Sequence, residues 1–178
     1  MKKSIKTAIL GFFILAGVAF IGIGEHLALA TNSSDSDLAS QSIGLLPTNP
    51  FYFIKEWGRG FKRALLFDVI KKASWDLDIA QSKLAELKKL EMINDENIAA
   101  ILLAADNYAD SLAVLLARLE ALRGFKSTLD IEKFLAKTAD QLFFHEQIFD
   151  ELHEKFSQNA DFQASASNVR ELIGRSIS

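Results

Sequence analysis

The chain reads as all-α: an antiparallel helical bundle of three long helices, with a short amphipathic helix before them and a short helix after them. Three observations predict this. Leu, Ile, Ala and Phe recur in alternating steps of three and four residues through most of the chain after Asp68, the spacing of helices that pack on one another. The only two prolines are Pro47 and Pro50, so none interrupts a later helix. After Gly60 only Gly124 and Gly174 remain, and the punctuation that separates strands is missing.

Lys2, Lys3 and Lys6 open the chain, and Ala8 to Gly24 follows without a charge. Ala28-Leu29-Ala30 then precedes the polar run Thr31-Asn32-Ser33-Ser34. That order is the layout of a secretory signal peptide. Residues 1–30 are therefore expected to be cut off, and the chain to act outside the cytoplasm, secreted or associated with the cell envelope. The competing reading is an uncleaved anchor. A spanning helix needs about 20 apolar residues, and the uncharged run falls slightly short unless Glu25 and His26 are drawn to the membrane edge. The chain has no cysteine, so a lipid-anchored amino-terminal Cys and disulfides are excluded. Stability must come from the apolar core.

Residues 31–44 are Ser-rich and short of large apolar groups. They offer too little burial to offset their ordering entropy and read as a flexible linker. A single domain is expected over 45–178. Asn49-Pro50 signals a helix start, and the first helix is expected from about Pro50 to Phe67. Phe51, Ile54, Trp57, Phe61, Ala64 and Leu65 share one broad face of it. Gly58 and Gly60 weaken it, each by about 1 kcal/mol relative to Ala.

Asp68 can cap a second helix running to about Leu90, with Ile70, Ala73, Leu77, Ala80, Leu84 and Leu87 in its seam. A third helix is expected to start at Asn94 or Asp95 and to end near Gly124. Its seam is Ile98, Leu102, Ala105, Ala109, Leu112, Leu116 and Leu119, and Ile101, Tyr108, Leu115 and Leu122 form a second apolar row. Two apolar sides make it the expected centre of the bundle. Ser127-Thr128-Leu129-Asp130 resembles a capping box before a fourth helix, from about Leu129 to Ser157. That helix carries Ile131, Leu135, Thr138, Leu142, His145, Phe149, Leu152 and Phe156 in step. Ser-Gln-Asn-Ala after Phe156 breaks the pattern, and a short last helix is expected from about Ser165 to Arg175.

Charge is uneven. Between Phe51 and Lys72, six basic residues face only Glu56 and Asp68, whereas from Ala73 onward eleven basic residues face eighteen acidic ones. A surface that is mostly acidic repels phosphates, so nucleic acid is not an expected partner. His145 and His153 lie eight residues apart, roughly 12 Å along a helix, too far to share a metal ion. His145 sits in the seam as either a core histidine or a proton-responsive group. Asp150 and His153 form one imperfect copy of the Glu-x-x-His motif of di-iron bundles, with no second copy, and are weak metal candidates. No nucleophile elbow, phosphate loop or thiol is present. The chain is therefore expected to have no catalytic residues and no cofactor, and not to be an enzyme.

The segment 51–72 interleaves Phe51, Tyr52, Phe53, Trp57 and Phe61 with cations. Lys55, Trp57, Arg59, Lys62 and Arg63 are the candidate surface-binding residues, for an anionic membrane surface, an envelope polymer or an acidic protein partner. The bland alternative is that the aromatics cap the bundle while the cations face water or the acidic helices.

The stretch Leu46-Pro47-Thr48-Asn49-Pro50-Phe51-Tyr52-Phe53-Ile54-Lys55, with Phe67-Asp68 and Lys71-Lys72-Ala73 after it, resembles an uncharacterised exported helical domain family. Its members open with Leu-Pro-x-x-Pro-x-Tyr-x-x-Lys. The likeness covers about Leu45 to Glu151; the chain departs at Phe53 and Val69, where Pro is frequent, and at Gly58 and Gly60. Some relatives carry the domain on chains resembling regulators of sigma factors, which implies sensing or contact with an envelope protein. The family has no assigned catalytic residues to carry over.

Overall fold

The computed structural model describes residues 44–177. The expected signal peptide, and all but the last residue of the expected linker, lie outside the described residues. Within them the chain is all-helical, with five helices and no strand: α1 Tyr52–Leu65, α2 Val69–Ile93, α3 Ile98–Arg123, α4 Leu129–Lys155 and α5 Ala160–Ile177.

Side-chain caps set the starts of α2 to α5, whereas α1 starts after Phe51 without one. Asp68 Oδ1 accepts from the Lys71 amide at 2.8 Å and opens α2. Asn97 Oδ1 accepts from the Ala100 amide at 3.1 Å and opens α3, three residues after Asn94 and two after Asp95, the expected start positions. Asn94 instead takes the α2 C-cap, its amide donating to the Leu90 carbonyl. Thr128 Oγ1 accepts from the Ile131 amide at 3.3 Å and opens α4.

The tail departs most from the sequence-based expectation. The break after α4 is a four-residue joint, residues 156–159, and α5 is 18 residues long instead of a short helix over 165–175. Asn159 caps it, its Oδ1 accepting from the Phe162 amide at 2.8 Å. Phe162, Ala166, Val169 and Ile173 of α5 are fully buried. They repeat the 4-3-4 step of the other seams, so α5 is a full member of the bundle.

The core joins α2, α3, α4 and α5. α2 and α3 form the most extensive pairing, followed by α3 with α5 and α4 with α5; α2 and α4 touch more lightly. Around the bundle the order is thus α2, α3, α5, α4. The consecutive helices α3 and α4 face each other across the middle, where large side chains bridge them. The Tyr108 ring stacks on Phe149 at 5.0 Å between centroids, and the Tyr108 hydroxyl is 2.8 Å from His145 Nδ1. α3 is long and apolar enough to cross a membrane, but half of that apolar stretch is buried in the fold, as befits the core helix of a bundle.

Two predictions follow from this packing. Leu112 and Phe162 are both fully buried. Leu112→Ala is expected to lower stability by about 2–5 kcal/mol and Phe162→Ala by about 3–5 kcal/mol in urea melts; a negligible loss in the second would remove α5 from the core. His145 is 1 % exposed, and burial pushes its pKa down to about 3. The unfolded chain takes up a proton near pH 6.5 that the folded chain refuses. The contribution of His145 is therefore complete above pH 6.5 and lost as pH falls towards 3, by up to about 1.4 kcal/mol per pH unit. Melts between pH 5 and 6.5, above the carboxylate range, are expected to show this slope, and Tyr108→Phe/His145→Leu is expected to flatten it.

Candidate functional site

α1 holds all five candidate surface-binding residues. Its stripe Tyr52, Glu56, Arg59 and Arg63 steps by 4, 3 and 4, which places these residues along one side of the helix. That side faces the bundle. Glu86 of α2, with its side chain 1 % exposed, receives three groups from α1. Tyr52 donates its hydroxyl at 2.6 Å, Arg59 its guanidinium at 2.8 Å, and the Lys55 ammonium lies 2.7 Å away. A buried carboxylate is tolerated only when paired and hydrogen-bonded, and α1 supplies that pairing.

A second anchor lies toward the end of α1. Arg63 Nε donates to the buried Asp76 Oδ1 at 2.5 Å, while Arg118 of α3 donates to Oδ2 at 3.3 Å. Between the two anchors, the Trp75 indole N–H donates to the Arg59 carbonyl at 3.2 Å. Lys62 Nζ lies 3.7 Å from the centre of the Trp75 ring, a cation–π contact. Glu56 pairs with Arg59 and with Lys83 of α2. Burial alone would raise the Glu56 carboxyl, but Lys83 and Arg59 outweigh it and hold it below its ordinary value. Burial, followed by the hydrogen bond to Glu86, holds the Tyr52 hydroxyl far above the ordinary tyrosine range, so it remains a donor.

The aromatics point the other way. Trp57 is 78 % exposed, Phe61 70 % and Phe53 65 %, and Ile54, Leu65 and Phe67 are exposed beside them. The expectation that the aromatics cap the bundle is thus corrected: Tyr52 is the only α1 residue they share with the buried set. The physical reason is that Glu86 and Asp76 would otherwise be buried charges without partners. The expectation that the cations face the acidic helices describes Lys55, Arg59 and Arg63. The five candidate surface-binding residues are accordingly split, with Trp57 outward, Lys62 exposed but laid over Trp75, and Lys55, Arg59 and Arg63 turned to the bundle. The sequence reasoning missed Glu86, Asp76 and Phe53 as site residues. The seam-like spacing of the α1 polar stripe was the available signal.

The remaining candidates are dispersed. Asp150 is paired with Arg170 of α5 at 2.5 Å. His153 lies one turn on, half-buried, with its backbone carbonyl accepting from Gln163 at 2.9 Å. Among the described residues no group of three or more His, Cys, Asp or Glu side chains is placed to hold a metal ion. A groove of about 280 Å³ between α1, α2 and α3 is lined by Glu56, Arg59, Arg63 and Lys83, all engaged in the ion pairs above.

What fold and site define is an all-α protein with a helix docked on it by its polar side. No family model matches the chain, and neither a curated protein nor a solved structure does.

Glu86→Gln keeps the shape of the latch and removes its charge. Hydrogen exchange in Tyr52–Leu65 is expected to quicken by about tenfold or more, the loss of a charge-assisted bond, while amides around Leu112 and Phe149 keep their protection. Unchanged exchange in α1 would show that Glu86 does not hold it.

Proposed function

We propose that this chain is an exported, non-enzymatic helical bundle that serves as an interaction or sensing module in the cell envelope. The outward apolar side of α1 is its contact surface. One observation carries this reading: a helix of 14 residues is fastened by its polar stripe to two buried carboxylates, leaving Phe53, Trp57 and Phe61 in water. A monomer rarely keeps a contiguous exposed apolar patch without a use for it. The signal-like start, with Lys2, Lys3, Lys6 and the run Ala8 to Gly24, supports the exported address, and the resemblance of Leu46 to Lys55 to an exported domain family points the same way.

The frame of that module is an antiparallel arrangement of consecutive long helices. Arg170 of α5 on Asp150 of α4, and Lys155 near the end of α4 on Glu91 near the end of α2 at 2.5 Å, are consistent with it. No nucleic acid, cofactor or metal enters this reading.

A photo-crosslinking residue replacing Phe61 in the cell tests it. Adducts are expected at position 61 and not at exposed Glu120 on α3. No adduct at 61, to protein or to lipid, in a chain that is exported and folded would overturn the proposal.

A further inference from the structure

We infer that the surface met by the outward side of α1 is an anionic lipid bilayer, with the aromatics entering the headgroup–acyl boundary. This rests on the reading of α1 as the contact surface and names its partner. Four observations converge on lipid.

The first is the make-up of the exposed side. Phe53, Ile54, Trp57, Phe61 and Leu65 are all more than half exposed, and no acidic residue projects among them. The one acid on α1, Glu56, is held by Arg59 and Lys83. Trp57 offers an apolar ring with one N–H donor, the amphipathic character that favours a membrane interface.

The second is the charge distribution. Of the six basic residues in 51–72, Lys55, Arg59 and Arg63 are paired with Glu86 and Asp76, which leaves Lys62, Lys71 and Lys72 against Asp68 on this segment, while the rest of the domain carries an acidic excess. Beside an anionic surface this asymmetry turns α1 toward the lipid and the body of the bundle away from it. Lys62 and Lys71 are exposed on this segment.

The third is area. Fourteen residues make a helix about 21 Å long, and with a helix diameter of about 10–12 Å one side offers a few hundred Å² at most. A stable protein contact takes about 800 Å² from each partner. A second copy of the chain would need a much larger matching surface, whereas a bilayer needs none.

The fourth is the pair of glycines. A Cβ added at Gly58 or Gly60 would meet nothing within 4 Å, and neither has a positive φ. The bundle therefore requires neither, although each weakens the helix. The surface beside Gly58 and Gly60 is therefore open next to the aromatics.

Trp57 and Trp75 are the only tryptophans, so Trp75→Phe in the full chain leaves Trp57 as the sole reporter. Trp75→Tyr serves if that variant loosens α1. The probes are vesicles of phosphatidylglycerol with phosphatidylcholine, and of phosphatidylcholine alone, each with or without brominated acyl chains. The expected result is a blue shift and bromine quenching of Trp57 with the anionic vesicles, weakening as salt rises. Apparent affinity is expected to fall about tenfold for each aromatic removed in Phe53→Ser and Phe61→Ser. Because the quenching is read at Trp57, insertion of the Ala8–Gly24 run alone does not produce it.

Trp57 emission that ignores both vesicles overturns the inference, as does equal quenching in phosphatidylcholine. A blue shift that grows with protein concentration in the absence of lipid assigns the surface to a second copy. Emission already blue-shifted in the dilute, lipid-free chain assigns it to another segment of the same chain. Each of these overturns the bilayer assignment. Adducts to protein at position 61 together with unquenched Trp57 remove the bilayer and leave the interaction module standing, whereas silence in both experiments removes both.

Discussion

A carboxylate in a helix core demands partners, and the placement of Glu86 organises the functional end of this molecule. Glu86 is on α2 at a position closed to solvent, where only α1 can reach it with enough donors. Leaving such a charge unpaired costs several kcal/mol, more than the burial of a Phe or Trp side chain returns, at about 1.5–3 kcal/mol. Asp76 repeats the demand further along, shared by Arg63 and Arg118. Both carboxylates take their partners from the polar stripe of α1. The polar stripe docks, and the aromatic side is left to contact something else.

Beneath this joint the bundle is built on different terms. α3 has two apolar sides and is flanked by α2 and α5. Its Tyr108 crosses the interior to α4, stacking on Phe149 and sharing a hydrogen bond with His145. A polar pair inside an apolar core is tolerable because each ring satisfies the other, and burial keeps the imidazole neutral in the physiological range. α5 closes the remaining side with Phe162, Val169 and Ile173. The bundle is thus held by dispersion and apolar burial, and α1 by ion pairs, a cation–π contact and a few hydrogen bonds. The two sets of interactions share few residues.

The helices and much of the core were legible in the linear pattern. Most seam residues of α2, α3 and α4 do become buried, from Ala73, Leu77 and Leu84 to Leu142 and Phe149, while Ile70, Ile98, Leu102 and Leu135 are half-buried, because a 3-4 repeat of apolar groups has few ways to leave water other than along a helix seam. Asp68 and Thr128 were recognisable as caps for the same local reason. α5 was legible only in part, as a short helix carrying Val169, Leu172 and Ile173; its start at Asn159 and its Phe162 and Ala166 were missed because serines and small side chains hid the repeat.

The orientation of α1 was not available from local pattern. Its apolar side is broad and strongly aromatic, and a rule that buries the apolar side turns it inward. The outcome depends on Glu86 and Asp76, which are 34 and 13 residues from Tyr52 and Arg63, their partners on α1. Neither acid is distinguishable in sequence from acids of the same helix repeat that face water. Periodicity and capping are properties of neighbours along the chain, so they show in the order of residues. Whether a carboxylate is desolvated is a property of what lies above it in space, and only the packed helices settle that.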